Sequence, residues 1–161
     1  MSKKKQCRKP KPASAPVPDK ATKSQRPVPR HEQQLAVIGD TVLDIEAAFR
    51  LLRARPRRTV PIDVDSWARL YGMDGSPHAP IRLGPGFDPV HAATADLRRP
   101  LILITLTIDD GDEVQLVGDG SHRLHRGFTE GHESLPAWIL TAAETDAITI
   151  ARPQRRDRTT P

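Results

Sequence analysis

The sequence predicts a small α+β (α/β) domain, a mixed sheet with packed helices, and three stretches carry that prediction. Leu101-Ile102-Leu103-Ile104-Thr105-Leu106-Thr107-Ile108 is apolar on both parities, the pattern of a strand buried on both faces near the middle of a sheet. Asp110-Gly111 is a strong hairpin signal joining it to the alternating Glu113–Val117. Gly118-Asp119-Gly120 then leads into a helical pattern over about 121–130, with Leu124 and Phe128 as its apolar stripe and Gly127 allowing close packing. Gly131 stops that helix, and Pro136–Leu140 reads as the next strand. Strand, glycine turn, helix, glycine and strand in this order form one compact α/β unit with a polar corner.

Upstream, residues 40–55 follow a helical pattern. Asp40 or Thr41 serves as the cap, and Val42, Ile45, Phe49 and Leu52 share one face. Arg50, Arg53 and Arg55 gather toward its C-terminal end, either as a solvated complement to the helix dipole or as phosphate contacts. Pro56 ends it. Thr59–Val64 reads as a short strand, after which Asp65 or Ser66 caps a short helix carrying Trp67, Leu70 and Tyr71 and closed by Gly72. Residues 72–87 form a long loop rich in glycine and proline, a kind of segment that is often functional or mobile. His78 and Arg82 lie in it, as solvent-facing residues or as groups that close over a ligand. Asp88-Pro89 opens a helix expected to run to about Leu97, and Ala147–Ala151 reads as a final strand.

Charge is unevenly distributed. Residues 1–30 hold 10 Lys/Arg and one acid, Asp19, for a net +9; residues 31–150 hold 11 Arg and 18 acids, for −7; residues 151–161 hold four Arg and one Asp, for +3. The total of +5 and the pI near 9.8 therefore belong to the ends. An acidic domain argues against a broad DNA-binding face on the domain itself. Residues 1–34 are expected to be a disordered Lys/Pro-rich tail, 35–151 a domain including an N-terminal helix, and 152–161 a disordered basic tail. Lys3, Lys4, Lys5, Arg8, Lys9 and Lys11 make the first tail either a solubilising extension or a salt-sensitive tether to nucleic acid, without aromatic residues to stack on bases.

The single Cys7 leaves no intrachain disulfide and no cysteine-based zinc site, which suits a reducing cytoplasm. The longest apolar run falls far short of the roughly 20 residues of a membrane helix, and residues 1–30 lack the apolar stretch of a secretory signal. A cytoplasmic protein with no membrane association is expected.

The chemistry centres on Gly118-Asp119-Gly120-Ser121-His122-Arg123-Leu124-His125. A glycine turn that opens a helix leaves amides unpaired, and such amides attract anions. Gly120 lets the backbone approach an anion without a Cβ in the way. Ser121 stands where an N-cap belongs, with a hydroxyl for the helix or for an oxyanion. Arg123 offers a planar fork of donors and His122 a further donor when protonated. Asp119 could orient Arg123, hold a metal through water or act as a base. The bland alternative is a plain turn, a helix cap and a surface arginine. His122, His125 and His132 also invite a metal reading, but no third ligand of suitable type is fixed by spacing.

Asp119-Gly120-Ser121-His122-Arg123-Leu124, followed by Gly131 and Pro136-Ala137-Trp138-Ile139, resembles the ParB N-terminal (ParB-like nuclease)/sulfiredoxin-like superfamily. Thr59–Val64 looks like that family's first strand and Arg99-Pro100-Leu101-Ile102 like its proline-then-apolar strand, so the likeness covers about 59–141. It implies a nucleotide or phosphate pocket in which Gly120, Ser121, His122 and Arg123 meet phosphates, with CTP or ATP and Mg2+ as the implied cofactors. Three departures qualify it. Ser121 stands where the sulfinate reductases carry cysteine, so their thiol chemistry is absent. Only 21 residues follow Leu140, too few for the partition proteins' helix-turn-helix and dimerisation regions. Arg126 occupies a position usually held by a small alanine.

The expectation is a nucleotide- or phosphate-binding protein, a stand-alone accessory or regulatory factor in DNA-related processes, of undetermined oligomeric state. The first alternative is a magnesium-dependent phosphoryl-transfer enzyme or nuclease, with Asp119 as the catalytic carboxylate and Asp109, Asp110 and Asp112 as weaker candidates. The second is a DNA-tethered adaptor using the N-terminal tail.

Overall fold

The computed structural model describes residues 34–84, 86–108 and 111–151. Both tails, Cys7, Asp109 and Asp110 lie outside the described residues. The chain runs β1 (Leu35–Ile38), β2 (Thr41–Asp44), α1 (Ile45–Ala54), β3 (Val60–Asp63), α2 (Val64–Leu70), α3 (Pro89–Ala92), β4 (Leu101–Thr107), β5 (Glu113–Asp119), α4 (Ser121–Thr129), β6 (Ser134–Ile139), α5 (Ala142–Ile148) and β7 (Thr149–Ala151). A four-stranded sheet has the order β3-β6-β4-β5 and a three-stranded sheet the order β1-β2-β7. The fold is α+β, as the sequence predicts.

Strand β4 organises the core. It lies inside the larger sheet, parallel to β6 and antiparallel to β5. Its alternate residues enter different clusters. Leu101 and Leu103 pack with Val64, Tyr71, Leu124 and Leu135, under α2 and α4. Ile102 and Ile104 pack with Leu43, Ile45, Ala48, Leu52 and Ile148, under α1 and α5. A strand apolar on both parities is what two helical layers require. Two buried backbone amides are completed by side chains: Val117 N–H donates to Tyr71 Oη (2.7 Å) and Thr105 N–H to Thr145 Oγ1 (3.1 Å).

Several boundaries differ from expectation, each for a local reason. Residues 35–44 form an antiparallel hairpin in place of the first turns of a helix, with Val37 opposite Val42 and Gly39 at φ +58 in the turn. Asp44 is therefore the cap, and its carboxylate accepts from Ala47 N (2.9 Å). Helix α2 starts earlier than expected because Asp63, neither Asp65 nor Ser66, accepts from Ser66 N (2.7 Å). Gly72 does close α2 at φ +67, with Met73 N–H reaching Ala68 C=O.

Helix α3 is capped by Asp88 with Pro89 in its first turn but stops at Ala92. Asp96 takes the Arg98 amide and Arg126 Nη1 takes the Ala95 carbonyl (2.9 Å), so local and tertiary partners replace the helical ladder. At the other end, 142–148 is helical and only 149–151 is extended. A capping box between Thr141 and Glu144 starts α5.

Candidate functional site

The glycine corner forms at the junction of β5 and α4. Strand β5 crosses a core where space is limiting: a Cβ on Gly118 would lie 2.8 Å from Ile104 Cγ2. The chain then turns through Gly120 at φ +107, ψ 19, a region hostile to side chains. Gly120 is itself the N-cap, so Ser121 is the first helical residue and not the cap, and no side chain bonds the first turn. The first bond of the ladder runs from Leu124 N–H to Gly120 C=O (2.9 Å). The amides of Ser121, His122 and Arg123 therefore have no partner within the helix. At its far end α4 closes on Gly131 at φ +74, where His132 N–H reaches Gly127 C=O, and Gly127 admits Leu135 at a Cβ distance of 2.8 Å.

Arg123 returns over this corner. Its Nη2 lies 2.7 Å from Asp119 Oδ2, with both side chains largely buried (11% and 14% exposed). A Cβ on Gly120 would stand 2.8 Å from Nη2, 3.1 Å from Nε and 3.0 Å from Leu101 Cγ. The guanidinium thus occupies the space that the missing Cβ leaves. Arg123 Nε is buried with no hydrogen-bond partner. Asp119 Oδ1 also accepts from Gln34 Nε2 (3.3 Å), at the start of β1. The corner brings Asp119, Gly120 and Arg123 together with the open amides, and the chain's own carboxylate holds the guanidinium.

His122 faces away from that pair, toward α3. Its Nε2 accepts from Asp88 N–H (3.2 Å), and its ring stacks on Phe87 (5.0 Å, 12°) and meets His91 edge-on (4.8 Å). Burial, with His91 and Arg123 nearby, lowers its pKa below 6.5 despite Asp88 and Asp119. The Nε2 of His122 is thus engaged as an acceptor by Asp88, and its surroundings favour the neutral ring.

The remaining candidates lie elsewhere. Arg82 donates to Pro77 C=O (2.7 Å) within its own loop. Phe87 and Asp88, which sequence reasoning did not single out for contact, are the loop residues that reach α4. Arg50 pairs with Asp44 (3.3 Å), while Arg53 and Arg55 are exposed on α1. Arg126 pairs with Glu130 (2.7 Å) besides bonding Ala95, which explains how an arginine is accommodated on this helix face. His132 bonds Glu130 (3.3 Å), away from His122.

Among the described residues no group of three His, Cys, Asp or Glu is placed to hold a metal. The first-turn amides and the Arg123 guanidinium are donors of the kind a phosphate accepts from. No helix among them is long and apolar enough to cross a membrane. Compared with protein-family models, curated proteins and solved structures, the chain has no match.

Proposed function

We propose that this protein is a phosphate-recognising module that binds a nucleotide, CTP or ATP, at the first turn of α4, as an accessory or regulatory factor in DNA-related processes. One observation carries the reading: an uncapped first turn at a glycine beside a buried arginine whose Nε has no partner. Open amides and an unsatisfied guanidinium N–H together match an oxyanion cluster. The likeness of Asp119–Leu124 to the ParB N-terminal/sulfiredoxin-like pattern points the same way. Asp119 competes with the ligand, because a phosphate must share or take Arg123 from it. Mg2+ would arrive with the nucleotide, where it offsets the repulsion between Asp119 and the phosphates.

Calorimetric titration of CTP, ATP and ADP, with and without Mg2+, tests the proposal in wild type and in Arg123→Lys. The lysine keeps a charge for Asp119 but loses the fork. Losing a charge-assisted contact costs about 1.5–3 kcal/mol, so affinity should fall roughly tenfold or more. Equal affinity in the two proteins, or none in wild type, refutes it. Asp119→Asn separates binding from the enzyme alternative. Relief of competition tightens metal-free binding, whereas a phosphoryl-transfer enzyme or nuclease would lose its magnesium-dependent turnover.

The charge distribution favours a second element. The +9 segment joins the domain at Gln34, whose side chain touches Asp119. Deleting residues 1–30 should remove most nucleic-acid retention and its steep salt dependence. Retention that survives the deletion rules out the tail as tether.

A further inference from the structure

We propose that the segment Phe87–His91 is a strap docked on the first turn of α4 and released when His122 takes a proton. The proposal deepens the phosphate-site reading by giving that site a regulator. Three contacts fasten the strap: the Asp88 amide donates to His122 Nε2 (3.2 Å), Phe87 stacks on the His122 ring (5.0 Å, 12°), and His91 meets it edge-on (4.8 Å). Phe87 also leans on His125 one turn further along (5.0 Å, 56°). The Asp88 hydrogen bond is the fastening that requires the neutral form of His122, because it uses the Nε2 lone pair.

Protonation acts on the hydrogen bond that ties the strap to the ring. A proton on Nε2 converts the acceptor facing the Asp88 N–H into a donor, and two donors cannot bond. The new charge also comes within Coulombic range of His91 on α3 and Arg123 on α4, with His125 against Phe87 one turn further along. Asp88 and Asp119 are the acidic groups nearby, but Asp88 Oδ1 is engaged by the Val90 amide (2.8 Å) and Asp119 by Arg123 (2.7 Å). Burial and the neighbouring cations hold the His122 pKa below 6.5, so the strap is closed at neutral pH and opens on acidification.

The link to the phosphate site is reciprocal. His122, freed and cationic, adds a charged donor beside the amides of the first turn, so acid strengthens anion binding. By linkage, a bound anion raises the His122 midpoint and favours release of the strap.

The test is an NMR titration of the full chain from about pH 8 to about pH 5, following the Asp88 and Phe87 amides and the His122 ring. The expected result is one shared midpoint below 6.5. His122→Gln, which keeps an uncharged acceptor, should lose the step, and Phe87→Ala should show the acid-form shifts at every pH. An Asp88 amide that ignores the His122 titration, or a step unchanged in His122→Gln, overturns the proposal. Repeating the wild-type titration with inorganic phosphate distinguishes the two readings. A midpoint that rises supports the link, whereas an intact step that phosphate does not move leaves the strap standing and counts against the phosphate site.

Discussion

Gly120→Ala is the perturbation that bears most directly on the corner. At φ +107 a residue with a Cβ pays a backbone penalty of roughly 1–2 kcal/mol or more. The new methyl would also stand 2.8 Å from Arg123 Nη2 and 3.0 Å from Leu101 Cγ. Leu101 is fully buried on the central strand and cannot retreat, so Arg123 must move, weakening its 2.7 Å pair with Asp119. Overpacking of this kind adds about 1–3 kcal/mol, for a total near 2–5 kcal/mol. Urea denaturation of wild type, Gly120→Ala, Arg123→Ala and the double variant measures it. Removing Arg123 removes the steric part of the glycine's cost, so the two changes should couple by about 1 kcal/mol or more. A single-variant loss under about 0.5 kcal/mol, or strict additivity, would refute the packing argument.

Other consequences follow from individual contacts. Tyr71→Phe leaves the buried Val117 amide without its partner and should cost about 1–3 kcal/mol in the same denaturation assay. Thr145→Val strands the buried Thr105 amide in the same way, with a similar loss that Thr145→Ser should largely avoid. Arg57, bonded to both Glu144 oxygens and to Ile139 C=O, holds the Glu144 carboxyl down from 4.5 to about 2. A depressed carboxylate stabilises the fold above its unfolded pKa, so this contribution is complete above about 4.5 and fades as pH falls toward about 2. Allowing for solvent screening it is worth about 1–2 kcal/mol, and Glu144→Gln should flatten that part of the stability-against-pH curve.

The central architecture was legible because its signals are local and redundant. The apolar run at 101–108, the glycines at 118, 120, 127 and 131, and Asp88-Pro89 each state a backbone requirement that tertiary context does not override. The hairpin at 35–44 was harder, since Val42, Ile45, Phe49 and Leu52 keep helical spacing across the strand-to-helix junction. Gly39 and the run Leu35–Ile38 were the signals that break that periodicity. Helix α5 was missed although Thr141-Ala142-Ala143-Glu144 spells a capping box. The site itself was only half readable. That Gly120 ends a strand and starts a helix follows from sequence, and Asp119 orienting Arg123 was one of the roles it offered. Two features do not follow: the guanidinium filling the gap at Gly120 depends on the wall formed by Leu101, and His122 turning to Asp88 depends on a loop whose path no spacing rule predicts.

The most direct measurement is amide-resolved NMR of the full chain as CTP, ATP or inorganic phosphate is added. Recognition by the corner predicts saturable shifts of the Ser121, His122 and Arg123 amides and of the Arg123 Nε–H, with β3 and α5 unmoved. Shifts that avoid these groups, or none at all at saturating nucleotide, would contradict it.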